Sequence, residues 1–374
     1  MKRQHGIMPS MILLLLLAAV FITYSCIKKN RASDDGQSFN TANSQENQQL
    51  LTEAQKFFKV LPDTVSDPKN IVTPAKVDLG KMLFYDTRLS KSNTISCNSC
   101  HNISTYGVDN NFNSLGHHWT FGGRNSPTVM NSALNVAEFW DGRASDVEDQ
   151  AKGPILNPVE MGMPDKAIAV DRVSSIPEYV ARFKEVFPEG HNDITINNIA
   201  DAIGAFERTL MTPSKFDRFL NGDVEALTTR EKKGLKTFMD AGCTTCHNGA
   251  AVGGGMFQKF GLVNGPYWKY TKSDHQDKGR YAITKNKNDM YVFKVPILRN
   301  INRTYPYFHD GSVWDLRTAV DIMGETQIGQ KLTAEETDDI VAFLKSLTGE
   351  IPEYALKLPV LPPSSPDTPR PMAD

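Results

Sequence analysis

At 374 residues, with 40% of them hydrophobic, the chain is long enough for about two or three domains with apolar cores. Its 41 basic and 43 acidic residues leave a formal net charge of −2. That near balance offers no basic face, so nucleic acid is excluded as an expected partner.

Lys2 and Arg3 precede an unbroken apolar run of eleven residues, Ile12 to Ile22. A membrane-spanning helix needs about 20, so residues 1–25 read as an export signal. The run ends at Thr23-Tyr-Ser-Cys26, a small residue followed by cysteine, which resembles a lipoprotein cleavage site with Cys26 as the lipidated first residue. Thr23 and Tyr24 depart from the usual residues there, and an ordinary signal with an incidental cysteine is the alternative. Residues 26–50, rich in Asn, Ser and Gln, read as a flexible tether. The expected location is the periplasm, with membrane contact only through a lipid anchor.

The other four cysteines form two copies of one motif, Cys97-Asn-Ser-Cys100-His101 and Cys243-Thr-Thr-Cys246-His247. C-x-x-C-H is the attachment signature of c-type haem. Two thiols reach the two vinyl groups of one porphyrin, and the adjacent histidine lies under the iron as its proximal ligand. Three other uses of these cysteines fit less well. A shared four-cysteine zinc site would have to join pairs 146 residues apart in sequence, far beyond zinc-ribbon spacing. A thioredoxin-like pair needs no following histidine, and a two-residue loop makes a poor disulfide staple. Two covalently bound haems are therefore expected.

Each motif follows an amphipathic helix. Leu79, Met82 and Leu83 precede the first, and Leu235, Phe238 and Met239 the second, both at the i, i+3, i+4 spacing of one helical face. A polar insert, Asp86 to Ser96, separates the first helix from its cysteines. Thr228-x-x-Glu231 is a capping box for the second helix. Ile199, Ile203, Phe206 and Leu210 mark a further helix after the turn-rich stretch 189–193. Thr333-x-x-Glu336 opens a last one, with Ile340, Val341, Phe343, Leu344 and Leu347 as its stripe. Strand signals are sparse. The fold class is mainly α, with two cytochrome c-like haem domains, 51–220 and 221–350, and long connecting loops. The glycine-rich segment Gly249 to Gly255 lacks the Lys-Ser/Thr of a phosphate loop and reads as flexible backbone near a haem edge. Residues 351–374 hold seven prolines, which exclude regular helix; this tail is expected to wrap the surface or stay mobile.

Beyond the haem motifs, six segments resemble the bacterial di-haem cytochrome c peroxidases, relatives of the methylamine-utilisation haem enzymes. They are Leu115-Gly-His-His-Trp119, Arg124-Asn-Ser-Pro-Thr128, Phe139-Trp-Asp-Gly-Arg-Ala144, Asn157-Pro-Val-Glu-Met-Gly162, Pro306-Tyr-Phe-His-Asp-Gly311 and Asp321-Ile-Met-Gly324. The likeness covers roughly residues 75–347. It implies an enzyme that reduces hydrogen peroxide, with the N-terminal, low-potential haem as the reacting one and the C-terminal, high-potential haem accepting electrons. The donor is expected to be a small periplasmic cytochrome c or cupredoxin.

The resemblance also implies roles. His101 and His247 are proximal iron ligands. His117, with His118 as the alternative, is a removable second ligand of the first iron. Glu160 matches the catalytic glutamate, a carboxylate able to move a proton between the peroxide oxygens; its Pro- and Met-rich flanks favour burial, which raises a carboxyl pKa. Gln150 is expected to help line that site. Trp140 matches a tryptophan between the haems. Met323 matches the sulfur ligand of the second iron, against Met256 and Met290 as other downstream candidates. The methylamine-utilisation relatives use tyrosine at that place, so methionine favours peroxidase chemistry. Asn125, Thr304 and Pro306 match an inter-domain calcium site, whose oxygen donors suit that ion. Family members are often homodimers. A pure electron-transfer di-haem protein, and an oxidative maturation enzyme acting on a protein substrate, are the alternative functions.

Overall fold

The computed structural model describes residues 45–188, 191 and 193–372. The export signal, Cys26 and the tether up to residue 44 lie outside the described residues. Residues 45–57 are helical, so the last part of the expected tether belongs to a helix. No helix among the described residues is long and apolar enough to cross a membrane.

The fold is mainly α. Among the described residues the paired strands are Phe257–Lys259 and Val292–Lys294, antiparallel, with Phe257 opposite Lys294. Each half of the chain is organised by one helix crossing. In the first, Pro74–Tyr85 packs on Ile196–Glu207. In the second, Thr229–Asp240 packs on Ala334–Ser346. The four expected helices are all present. Leu79, Leu83, Ile199, Ile203, Phe206 and Leu210 are fully buried, as are Leu235, Phe343 and Leu347. Both expected capping boxes form, with Thr228 and Thr333 hydroxyls accepting the N–H groups of Glu231 and Glu336.

The crossings share a device that hydrophobic periodicity does not reveal. A Cβ on Gly80 would stand 1.8 Å from the carbonyl oxygen of Ala202, and one on Gly234 would stand 1.8 Å from that of Asp339. Backbone meets backbone at both points, four residues before Phe84 and Phe238, each of which is buried in its own core.

The glycine-rich segment is fixed rather than loose. The Gly254 N–H donates to the Val295 carbonyl at 3.0 Å, and its own carbonyl accepts from Val136 at 2.8 Å. A Cβ on Gly253 would sit 2.5 Å from the Pro296 carbonyl and 3.0 Å from the His247 ring. These glycines are required for close approach to the second motif.

The proline-rich tail lies along the first half. After one helical turn, Glu353–Leu356, the Pro362 carbonyl accepts from Arg88 at 2.9 Å. The Arg370 carbonyl accepts from Arg172 at 2.9 Å, and the Met372 N–H donates to the Lys91 carbonyl at 3.0 Å. Arg172 is fully buried and spends its guanidinium on carbonyl oxygens of the 88–91 loop and on Asn93.

The crossings predict that Gly80→Ala and Gly234→Ala each lower stability by about 1–3 kcal/mol or more, because overpacked backbone must separate. Denaturant midpoints of the two variants check this; unchanged midpoints would refute the backbone contact.

Candidate functional site: two motif cavities and a shared wall

Each C-x-x-C-H motif opens onto its own cavity. The first motif forms the helical turn Cys97–Cys100, capped by Ser96 and Ser99. With His101 it borders a cavity of about 390 Å³. The second forms the turn Cys243–Thr245, and with His247 borders a cavity of about 510 Å³. Two cysteine pairs facing separate cavities cannot share one zinc ion. All four thiols are free, so neither pair is a disulfide. Burial pushes the Cys100 thiol up to about 11 and Cys243 up to about 12, and raises Cys97 and Cys246 as well. Thiols held protonated in this way are poor redox pairs.

The two histidines are alike in setting. Burial lowers the pKa of His101 and takes His247 down to about 4. Backbone carbonyls oppose this in each case, Gly107 and Pro127 beside His101, Val252 and Pro296 beside His247. Neither Nδ1 reaches a partner in full hydrogen-bond geometry. An imidazole kept neutral in this way can offer a ring nitrogen to a metal.

Asn125, Ser126, Pro127, Thr128 and Trp140 border both cavities and so form a shared wall. Trp140 is fixed from two sides. Its indole N–H donates to the Asn125 carbonyl at 2.8 Å, and its own carbonyl accepts the Lys294 N–H at 2.8 Å. Beside it, Arg124 bonds Asp141 and Asp277, each at 2.6 Å.

The first cavity collects polar groups. Glu160, Gln150, Arg143, Glu138 and Glu207 all border it. Gln150 comes from the Val147–Leu156 helix. Glu160 sits in the turn that follows, where its N–H and that of Gly162 donate to the Asn157 carbonyl at 3.1 and 2.8 Å. Burial pushes the Glu160 carboxyl above its ordinary value, opposed by the charge of Arg143 and a hydrogen bond from Asn157. Arg143 stacks on Phe139 at 3.4 Å and bonds Asp141 at 3.0 Å.

His117 is buried but does not border the first cavity. Its N–H donates to the carbonyls of Val159 and Glu160 at 3.0 and 2.8 Å. A Cβ on Gly162, whose φ is +67°, would meet the His117 ring at 2.7 Å. The ring therefore rests on the Glu160 turn, beside the ring of His118 at 3.8 Å between centroids. His118 is exposed and has a positive φ of 54°.

The second cavity is lined mainly by apolar side chains, among them Phe238, Phe260, Phe293 and Leu344. Met323, at the end of the Leu316–Met323 helix, borders it, whereas Met256 and Met290 border neither cavity. Thr304 and Pro306 border it too, together with Asn125. The Asn125 side-chain amide donates to the Asn111 and Phe112 carbonyls at 3.0 and 3.3 Å.

Arg143, Glu138, Glu207 and Lys294 are cavity residues to which the sequence alone gives no role. Arg143 lies inside the quoted Phe139–Ala144 segment, which is a signal. The other three carry no local pattern.

The chain matches the family model described as di-haem cytochrome c peroxidase over residues 74–225, and the cytochrome c model over 231–348. It is 48% identical over 324 residues to the cytochrome c551 peroxidase of Pseudomonas aeruginosa, covering 86% of this chain and 92% of that protein. It belongs to the di-haem cytochrome c peroxidase family.

A cytochrome c551 peroxidase of Nitrosomonas europaea is 52% identical over 307 residues, covering 81% of this chain and 89% of that one. The methylamine utilization protein MauG of Methylorubrum extorquens is 34% identical over 339 residues, covering 86% and 91%. Among solved structures, a MauG-like protein associated with microbial copper homeostasis has a TM-score of 0.71 at 29% identity, covering 80% of this chain and 97% of that one. The chain is thus an oxidoreductase of the cytochrome c peroxidase class, and its cofactors are two c-type haems. The residues fit that pair of groups, since each cavity presents two thiols and one imidazole whose pKa is lowered.

The lining of the second cavity predicts that Met323→Ala, in haem-loaded protein, removes the sulfur-to-iron charge-transfer absorption and lowers that site's midpoint potential. Met256→Ala and Met290→Ala should leave both properties intact. A spectrum unchanged by Met323→Ala would refute the assignment.

Proposed function

We propose that this chain reduces hydrogen peroxide to water in the first cavity, using electrons that enter through the second. The supporting observation is Glu160, a carboxyl with a burial-raised pKa set at the border of the first cavity beside Gln150 and Arg143. The haems, when bound, supply the iron-centred redox chemistry. Glu160 accepts a proton from one peroxide oxygen and delivers it to the other, so that the departing group is water rather than hydroxide. Two electrons and two further protons complete the conversion of one peroxide to two waters. Arg143 stabilises negative charge at that end of the cavity, and Gln150 orients the oxidant by hydrogen bonding. A pure electron-transfer protein would have no use for this carboxyl, and Met323 in the second cavity favours peroxidase over maturation chemistry.

His117, or His118 beside it, would have to leave the Glu160 turn to serve as a second ligand of the first iron. Trp140 in the shared wall is the electron path between the sites. Asn125, Thr304 and Pro306 are the proposed calcium donors, an all-oxygen set suited to that ion. A small cytochrome c or cupredoxin in the periplasm is the proposed donor, with the chain anchored there through Cys26.

Glu160→Gln should lower kcat/KM for peroxide by about 10²–10⁴-fold while both haems remain attached. The proton acceptor must be ionised, so activity is present above the Glu160 pKa and falls as pH drops through it. Because that pKa is raised, the acid limb of the kcat/KM profile should lie above the ordinary carboxylate range and disappear in the variant. Full peroxide turnover by Glu160→Gln would contradict the proposal.

A further inference from the structure

One buried ion pair straddles the wall between the cavities and has no part in the chemistry described so far. Lys294 Nζ lies 3.5 Å from a Glu138 carboxylate oxygen, with side-chain exposures of 5% and 8%. Glu138 borders the first cavity and not the second; Lys294 borders the second and not the first. The pair is built into the mounting of Trp140. Glu138 lies two residues before the tryptophan, held by its N–H to the Ala144 carbonyl at 2.8 Å, and the Lys294 N–H carries the Trp140 carbonyl.

The groups facing the pair are few. The Asn135 amide donates to both Glu138 oxygens at 3.3 Å. Asp146 and Glu207 act on the carboxyl side through space, and Lys294 faces Glu138 alone. Burial raises the Glu138 pKa and lowers that of Lys294, and their mutual attraction opposes both shifts. The carboxyl receives only donors from Asn135 and Lys294, the setting of an ionised carboxylate. Glu207, buried near Glu138 and Glu148, is pushed well above its ordinary value by that enclosure and by both carboxylates, with Arg208 opposing. A negative charge thus stands on the first-cavity side of the wall and a positive charge on the second, in a setting too dry to screen them.

We propose that the Glu138–Lys294 pair sets part of the potential gap between the two haem sites, the carboxylate holding the first site's potential down and the ammonium holding the second site's up. Reduction adds an electron to each site, which a nearby anion disfavours and a nearby cation favours. The inference rests on the reading that the first site is the low-potential one.

Potentiometric titration of the haem-loaded protein tests it, with Met323→Ala identifying which wave belongs to the second site. The decisive variant is Glu138→Gln/Lys294→Met, which leaves no unpaired buried charge and so avoids the penalty of a single removal. The first site's midpoint should rise and the second's fall, narrowing the gap by the equivalent of about tenfold or more in the electron-exchange equilibrium, ~59 mV for one electron. The exchanged pair Glu138→Lys/Lys294→Glu should narrow it further. A gap within about twofold of the parent in the neutral double variant, with both haems attached, would overturn the proposal. A parent titration in which the Met323-dependent wave is the lower one would instead overturn the assignment of the sites, and the two failures are read separately.

Discussion

Two helices can close to backbone contact only where no Cβ intervenes, and both halves of this chain rest on such a crossing. Gly80 against Ala202 and Gly234 against Asp339 fix one helix pair each. Each C-x-x-C-H motif follows the glycine-bearing helix of its pair, so the crossing decides where two thiols and one imidazole come to lie. The imidazoles then fall at the cavity walls, where desolvation favours their neutral form, the state in which a ring nitrogen can bind a metal.

The two sites are built alike at the motif and differently around it. The first cavity gathers Glu160, Gln150, Arg143, Glu138 and Glu207; the second is walled by aromatic and aliphatic side chains with Met323 among them. Proton handling needs the former environment, and a site that only takes up and passes on electrons is served by the latter. The wall of residues 125–128 and Trp140 belongs to both. Its tryptophan is gripped by Asn125 on one side and Lys294 on the other, so the placement of either site depends on the same few bonds.

Local features were legible in the sequence. The haem motifs, the capping boxes and the apolar stripes of four helices each depend on residues a few positions apart, and all appear in the structure. The resemblance singles out Met323 over Met256 and Met290, and of the three only Met323 borders the second cavity. The glycine-rich segment is held in place although its composition suggests freedom, because the contacts of Gly253 and Gly254 come from residues 135 and 296. The tail could equally have been mobile, since what holds it is Arg88 and Arg172, far away in sequence. The Glu138–Lys294 pair was invisible for the same reason, and burial of Lys294 is contrary to what lysine does on average. The His117 ring rests on Gly162, a contact between two loops that no single segment encodes.

Both cavities are read as haem sites, each haem joined covalently to the chain. The direct measurement is the haem content of the mature protein, produced in a host that assembles c-type cytochromes, before and after acid denaturation and gel filtration. Covalent attachment at both cavities predicts two haems per chain, both still held by the unfolded polypeptide. One haem per chain, or haem that separates from the denatured protein, would contradict it.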